Sequence, residues 1–120
     1  MLKINSTDFG SIIIDDKKYN QVLIIGEKVE EREYDKLKDF FGTSHKIGDW
    51  EVNELLRDNP EIILIGTGQN GMLAVDTKVI ETISKKGIEL IIEKTPEVII
   101  TYNKKIQEGK RVNALIHTTC

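Results

Sequence analysis

The sequence predicts a single α/β domain, and three observations carry that prediction. In the carboxyl half, apolar β-branched runs ("EIILI" at 61–65, "GIELIIE" at 87–93, "RVNALIH" at 111–117) alternate with capped helical stretches. Strand, helix, strand, helix, strand with connections of this length implies parallel pairing through right-handed crossovers. The run at 61–65 is bounded by Pro60 and Gly66, and its unbroken apolar character marks a strand buried on both faces and central in the sheet. The amino half starts differently: "DFGSIII" and "KKYN" flank Asp15-Asp16 as a hairpin, so the chain begins antiparallel.

Each element follows from local signals. After the hairpin, Val22 to Ile25 is a further apolar strand. Residues 29–41 read as either a polar strand or a short helix, with the helix placed over about 35–41 and ending at Gly42. "GTSHKIGDW" is a loop. Asp49 can cap a helix whose Val52, Leu55 and Leu56 share one face, and Pro60 stops that helix near Asn59. Beyond the glycine-rich segment, Asp76 or Thr77 caps a helix with Val79, Ile80 and Ile83 inward, and Gly87 is its left-handed stop. In "TPEVIITYNKKIQEG", Thr95 is the expected N-cap, Pro96 the first helical residue and Gly109 the end. Val98-Ile99-Ile100-Thr101 has strand propensity, but the caps and the spacing Val98, Tyr102, Ile106 favour helix.

Composition excludes several function classes. At 120 residues the chain is one domain, 1–120, with no repeat or linker and enough length for a core of two or three layers. The longest apolar runs are too short to span a bilayer, so no membrane partner is expected. The amino terminus lacks the apolar stretch and cleavage site of a secretory signal, which predicts a cytoplasmic protein; the lone Cys120 agrees, since no internal disulfide can form. Residues 1–60 hold 9 Lys/Arg against 13 Asp/Glu and residues 61–120 hold 8 against 7, so neither half has the basic excess that a nucleic-acid backbone requires. The densest charge run, "EKVEEREYDKLKD" at 27–39, mixes signs and reads as a solvated face.

"IGTGQNGML" at 65–73 spells G-x-G-x-x-G after a strand and so raises the question of a dinucleotide cradle. In that motif a helix begins within the glycines and aims its free N–H groups at a pyrophosphate. Here "MLAV" separates the turn from any helix cap, and the nearest acid for a ribose, Glu93, lies 27 residues after Gly66. The expectation is a glycine turn required by backbone geometry at the end of a strand, with no cofactor. A Cβ at Gly66 or Gly68 should then destabilise, either through positive φ or through close approach to the "GTSH" loop.

His45, His117 and Cys120 are the only imidazoles and the only thiol. Zinc takes such ligands, but "HTTC" leaves two residues between His117 and Cys120 and His45 would have to fold over them, so no metal site is expected. A Cys–His nucleophile pair is disfavoured too, because three residues of extended strand separate the groups by about 10 Å. Ser44 next to His45 lacks a nucleophile elbow; Thr43 and Ser44 suit turn hydrogen bonds. Tyr102 reads as a core-edge aromatic whose hydroxyl needs a partner.

Four stretches in this order and spacing, "GTSH" at 42–45, "IGTGQNGML" at 65–73, Thr95 with "TYN" at 101–103, and "HTTC" at 117–120, resemble the Mth938-like family, with "DFGSI" at 8–12 and "EGKRVNALIH" at 108–117 extending the likeness over nearly the whole chain. The resemblance implies a compact three-layer α/β domain: a mixed central sheet, helices packed on it and an added N-terminal β-hairpin layer. It implies no established catalytic activity. One eukaryotic branch looks like a mitochondrial respiratory complex I assembly factor and another is linked to adipocyte differentiation, which suggests binding or assembly. Where relatives carry a small Ala three residues after the motif threonine, this chain has Val98, which narrows any adjacent pocket.

The resulting expectation is a binding or assembly module for an unknown protein partner or small molecule. Its candidate ligand-binding residues are Thr43, Ser44, His45, Gly66, Gly68, Gln69, Thr95 and Tyr102, around a crevice between the "GTSH" and "GTGQNG" loops. The alternative is a small-ligand sensor or enzyme using that crevice, with His45 and Cys120 as the reactive groups. The apolar first arm of the hairpin is an edge liability, and a monomer or weak dimer is expected.

Overall fold

Along Val22–Ile25 and Ile62–Ile65 every side chain is buried and successive residues face opposite sides, which divides the core in two. The computed structural model describes residues 1–120. In chain order the elements are β1 (Ile4–Asp8), β2 (Ser11–Ile14), β3 (Lys17–Tyr19), β4 (Val22–Ile25), β5 (Lys28–Glu31), α1 (Tyr34–Phe41), α2 (Asp49–Leu55), β6 (Ile62–Thr67), α3 (Thr77–Ser84), β7 (Glu89–Glu93), α4 (Thr95–Gln107) and β8 (Val112–His117). Strands β5-β4-β8-β6-β7 form a mixed sheet, and β1-β2-β3 form a separate antiparallel sheet.

One half-core gathers Val22, Ile24, Ile62, Leu64, Ala114 and Ile116 against Val98 and Tyr102 of α4 and Ile4, Ile12 and Ile14 of the small sheet. The other gathers Leu23, Ile25, Ile63, Ile65 and Leu115 against Val52 and Leu55 of α2 and Val79 and Ile83 of α3. This is the mixed-sheet α/β domain with an added β layer that the family resemblance implies. The parallel half forms as expected: β6 pairs parallel with both β7 and β8, while β4 pairs antiparallel with β5 and β8. The segment Val98–Thr101 is helical despite its β-branched residues, because the Val98, Tyr102, Ile106 stripe packs on the sheet.

Several local expectations are corrected. The amino-terminal unit has three strands, since β1 pairs with β2 ahead of the hairpin; "INSTD" buries only Ile4 and so carries almost no apolar pattern. The apolar arm "SIII" is therefore the middle strand, not an exposed edge. Residues 28–41 contain both a strand, β5, and a helix, α1. The centre of the large sheet is β8; β6 lies beside it. Gly48, not Asp49, is the N-cap of α2, and Glu51 Oε1 accepts from its N–H at 3.0 Å. Lys94 takes the N-cap of α4, because the Thr95 hydroxyl turns away from its own helix toward Gly68 and His117. Ile80 is 36% exposed at the rim of α3 rather than inward.

Candidate functional site

Strand register assembles the site. Val22 pairs with Glu31 on one side and Ile116 on the other, and Thr67 pairs with His117. The residues just past these pairs, Arg32, Gln21 and His117, therefore fall in one row across β5, β4 and β8 at the carboxyl ends of β6 and β8. All three side chains are buried. A guanidinium has five N–H donors, and here each finds an acceptor. Arg32 Nε donates to Glu51 Oε2 at 2.7 Å, Nη2 to Glu51 Oε1 at 3.0 Å and to the Lys46 carbonyl at 2.8 Å, and Nη1 to Gln21 Oε1 at 2.8 Å and to the Ser44 carbonyl at 3.1 Å. The Arg32–Glu51 pair is a bidentate salt bridge with both side chains 1% exposed.

Arg32 thus clamps the "GTSH" loop through the carbonyls on either side of His45. Within the loop, Thr43 Oγ1 accepts from His45 N at 3.1 Å, Ser44 is buried, and the His45 ring stands edge-on to His117 with centroids 5.0 Å apart. Arg32 Nη1 lies 3.4 Å from His117 Nδ1, but both of its protons already have acceptors. His117 Nδ1 sits 2.6 Å from Gln21 Oε1, so the nitrogen donates there, and Nε2 accepts from Thr119 Oγ1 at 3.1 Å. The ring is neutral in this arrangement. Burial, the Arg32 charge and the neighbouring His45 push its pKa down to about 4.

The glycine segment faces the same region and holds the chain's own last residues. Gln69 N donates to the Thr119 carbonyl at 2.8 Å, and Asn70 N and Met72 N both donate to the Cys120 main-chain oxygen at 3.0 Å. Gly68 N donates to Thr95 Oγ1 at 3.0 Å, and that hydroxyl donates to the His117 carbonyl. The Gln69 amide reaches Thr7 Oγ1 and the carbonyls of Asp8 and Thr118, each at 3.1 Å, tying in the small sheet. Gly68 has φ +105°, and a Cβ there would meet the Cys120 main chain at 2.5 Å. Gly66 is needed for another reason: its Cβ would meet Val98 Cγ1 at 2.8 Å and Thr95 Oγ1 at 3.0 Å. The close neighbours of both glycines are thus α4, β8 and residues 119–120, not the "GTSH" loop. That loop meets the glycine segment only beyond it, where Ala74 N donates to the His45 carbonyl.

The structure brings Thr43, Ser44, His45, Gly66, Gly68, Gln69 and Thr95 to this end of the sheet, with His117 and Cys120. The expected crevice between the loops is spanned by β8 and its continuation. Tyr102 lies elsewhere, on the inner face of α4 in the half-core beneath the small sheet. No three His, Cys, Asp or Glu side chains are gathered to hold a metal, and both His117 nitrogens are engaged by Gln21 and Thr119. Sequence reasoning missed Arg32, Glu51 and Gln21. Arg32 sits inside the run read as solvated, and that reading is corrected for Arg32 and for Leu37, which is buried in the core, while the neighbouring Glu30, Glu31 and Glu33 are exposed. Glu51 had a signal, as the third helical residue after a Gly cap.

Comparison with known proteins adds the lineage. The family described as "Protein of unknown function (DUF498/DUF598)" matches residues 4–117. The chain is 30% identical over 107 residues, 89% of its length and 83% of the relative's, to the "13 kDa major membrane protein" of Francisella tularensis subsp. holarctica (strain LVS). The solved structure named "MT938" superposes with a TM-score of 0.82 at 29% identity over all of both chains. An outer membrane protein from Bartonella henselae superposes with a TM-score of 0.78 over 98% of this chain and 94% of that one; at 19% identity the likeness is one of fold. The expectation of a cytoplasmic location is overturned by the Francisella relative, whose name points to membrane association. No helix of the chain is long and apolar enough to cross a membrane.

Proposed function

The chain belongs to the DUF498/DUF598 family, the Mth938-like proteins, and from that premise we propose that it is a non-enzymatic binding or assembly module. The observation that carries this reading is the saturation of the polar centre. Arg32 spends its donors on the protein, and the glycine segment's N–H groups are taken by residues 119 and 120. A reacting or ligand-cradling site keeps such groups aimed at an open position. In this proposal Thr43, Ser44, His45, Gly66, Gly68, Gln69 and Thr95 form a frame that fixes two loops for a partner. The alternative, a small ligand engaged by His45 and Cys120, draws its support from the half-buried exposure of both residues.

A second reading of the partner rests on the face made by α1 and the start of α2. Phe40 is 73% and Tyr34 50% exposed; Phe40 and Phe41 pack on Trp50, and Lys36 Nζ lies 4.4 Å over the indole. Exposed aromatic rings with lysines over them are the chemistry of a lipid interface, and the membrane-protein name of the Francisella relative supports a lipid surface as what this face meets.

Co-purification from native lysate, flotation with phosphatidylcholine/phosphatidylglycerol vesicles, and a metabolite thermal-shift screen test these readings together. A protein partner retained by the wild type and lost by a folded Met72→Asp variant, altered at the exposed side chain of the glycine segment, is the expected outcome for the module. Flotation lost in a folded Tyr34→Ala/Phe40→Ala variant selects the lipid surface. A metabolite that stabilises the wild type but not His45→Ala or Cys120→Ser variants would overturn the non-enzymatic reading in favour of the ligand one.

A further inference from the structure

The end of the sheet opposite the Arg32 centre contains a cavity of about 310 Å³, at the amino ends of β6 and β8. Its inner wall is Tyr102, Val112 and Pro60, all buried, with half-buried Leu2 and Ile106. Its outer residues are exposed and carry both signs, Glu27 and Asp58 against Lys110 and Arg111. Tyr102 is the largest fully buried side chain of the molecule, and its hydroxyl finds no hydrogen-bond partner within the protein. A buried hydroxyl left unpaired costs about 1–3 kcal/mol, so its persistence at a cavity wall calls for a use. Burial first, and then the nearby charges of Asp15 and Glu27, raise its pKa and keep the phenol protonated. It is therefore a donor without an acceptor.

We propose that this cavity is a binding site for a small, uncharged, mainly apolar molecule carrying one carbonyl oxygen, which accepts a hydrogen bond from Tyr102 while its hydrocarbon part packs on Leu2, Ile106 and Val112. The volume lies at the lower end of the range for small-molecule sites, and a mainly apolar wall with a few placed polar groups is their usual composition. The other buried polar side chain of the lining, Asn113, is already bonded to Gly26 N and to the Leu55 and Arg57 carbonyls. The mouth carries charges of both signs, with the Met1 ammonium paired to Glu27 at 2.7 Å, and leaves selectivity to the apolar inner wall. The site is separate from the partner-binding face in position and in residues, so either can fail without the other.

The test uses cyclohexanone as probe and 1-methylcyclohexene as its oxygen-free counterpart, followed by amide NMR of the full chain. Cyclohexanone should give saturable shifts centred on Leu2, Ile106 and Val112. Tyr102→Phe, which removes only the hydroxyl, should fold with an unchanged or higher melting temperature and bind cyclohexanone about tenfold more weakly, the worth of one buried hydrogen bond. 1-Methylcyclohexene should bind both proteins alike. Ile106→Trp, which fills the cavity from a half-buried position, should abolish the shifts for both probes. Absence of saturable shifts at these residues, as a cavity holding only tightly bound water would give, overturns the proposal; so does equal cyclohexanone affinity in wild type and Tyr102→Phe.

Discussion

Gly68→Ala isolates what the glycine segment is for. At φ +105° an alanine is strained by about 1–3 kcal/mol. Its Cβ would also lie 2.5 Å from the Cys120 main-chain carbon and 2.8 Å from the Thr119 oxygen, inside any real contact and against backbone that cannot swing aside as a side chain does. Relief requires residues 119–120 to lift away, which breaks the bonds from Gln69 N, Asn70 N and Met72 N. At about 1 kcal/mol each, and with the strain added, the total reaches about 4–6 kcal/mol, a large fraction of a typical stability of about 5–15 kcal/mol. Gly87→Ala is the control: φ is +73°, nothing lies within 4 Å of the added carbon, and about 1 kcal/mol is expected. Urea unfolding followed by circular dichroism reads both, with calorimetric titration of NAD, FAD and ATP alongside. A Gly68→Ala protein as stable as wild type, or micromolar nucleotide binding that this variant loses while folded, would refute the reasoning.

Other outcomes follow from the same geometry. Gly66→Ala should cost about 1–3 kcal/mol by overpacking, and adding Val98→Ala, which removes the atom 2.8 Å away, should recover part of it; a purely additive double variant argues against this contact. Glu51→Ala leaves the buried Arg32 charge without its carboxylate and should cost about 3–5 kcal/mol, whereas paired Arg32→Met/Glu51→Leu should cost less, as measured by chemical denaturation. Because His117 has a folded pKa of about 4 against 6.5 unfolded, the unfolded chain binds the extra proton between those values. Its contribution is full above pH 6.5 and lost as pH falls toward 4, by about 3 kcal/mol in total. His117→Gln should flatten that part of the stability–pH curve, and an unchanged slope counts against the neutral buried ring. Sedimentation equilibrium should show monomer or weak dimer; a concentration-independent tetramer would exclude it.

The sequence by itself determined the elements of the carboxyl half, because their signals are local: Pro60 precedes β6, although that strand runs on through Gly66 to Thr67, Pro96 opens α4, and the stripe Val98, Tyr102, Ile106 overrides the strand propensity of "VIIT". It also determined that the glycine motif lacks a helix at its turn, since "MLAV" precedes Asp76, the N-cap of α3. Of the motifs that carried the family resemblance, "GTSH", the glycine segment, Thr95 and "HTTC" converge in space while "TYN" packs beneath the small sheet, and nothing in their spacing showed what they converge on. Tertiary structure alone decided that β8 is central, that β1 joins the small sheet, and that Arg32, Gln21 and His117 share a row. Those facts depend on register between strands up to 96 residues apart. A one-residue slip would have turned Arg32 outward among its glutamates, where the charge pattern of its own segment places it. The physical reason for the division is range: caps, turns and periodicity act within a few residues, while burial of a charge is settled only when a distant carboxylate and two loop carbonyls arrive to pair it.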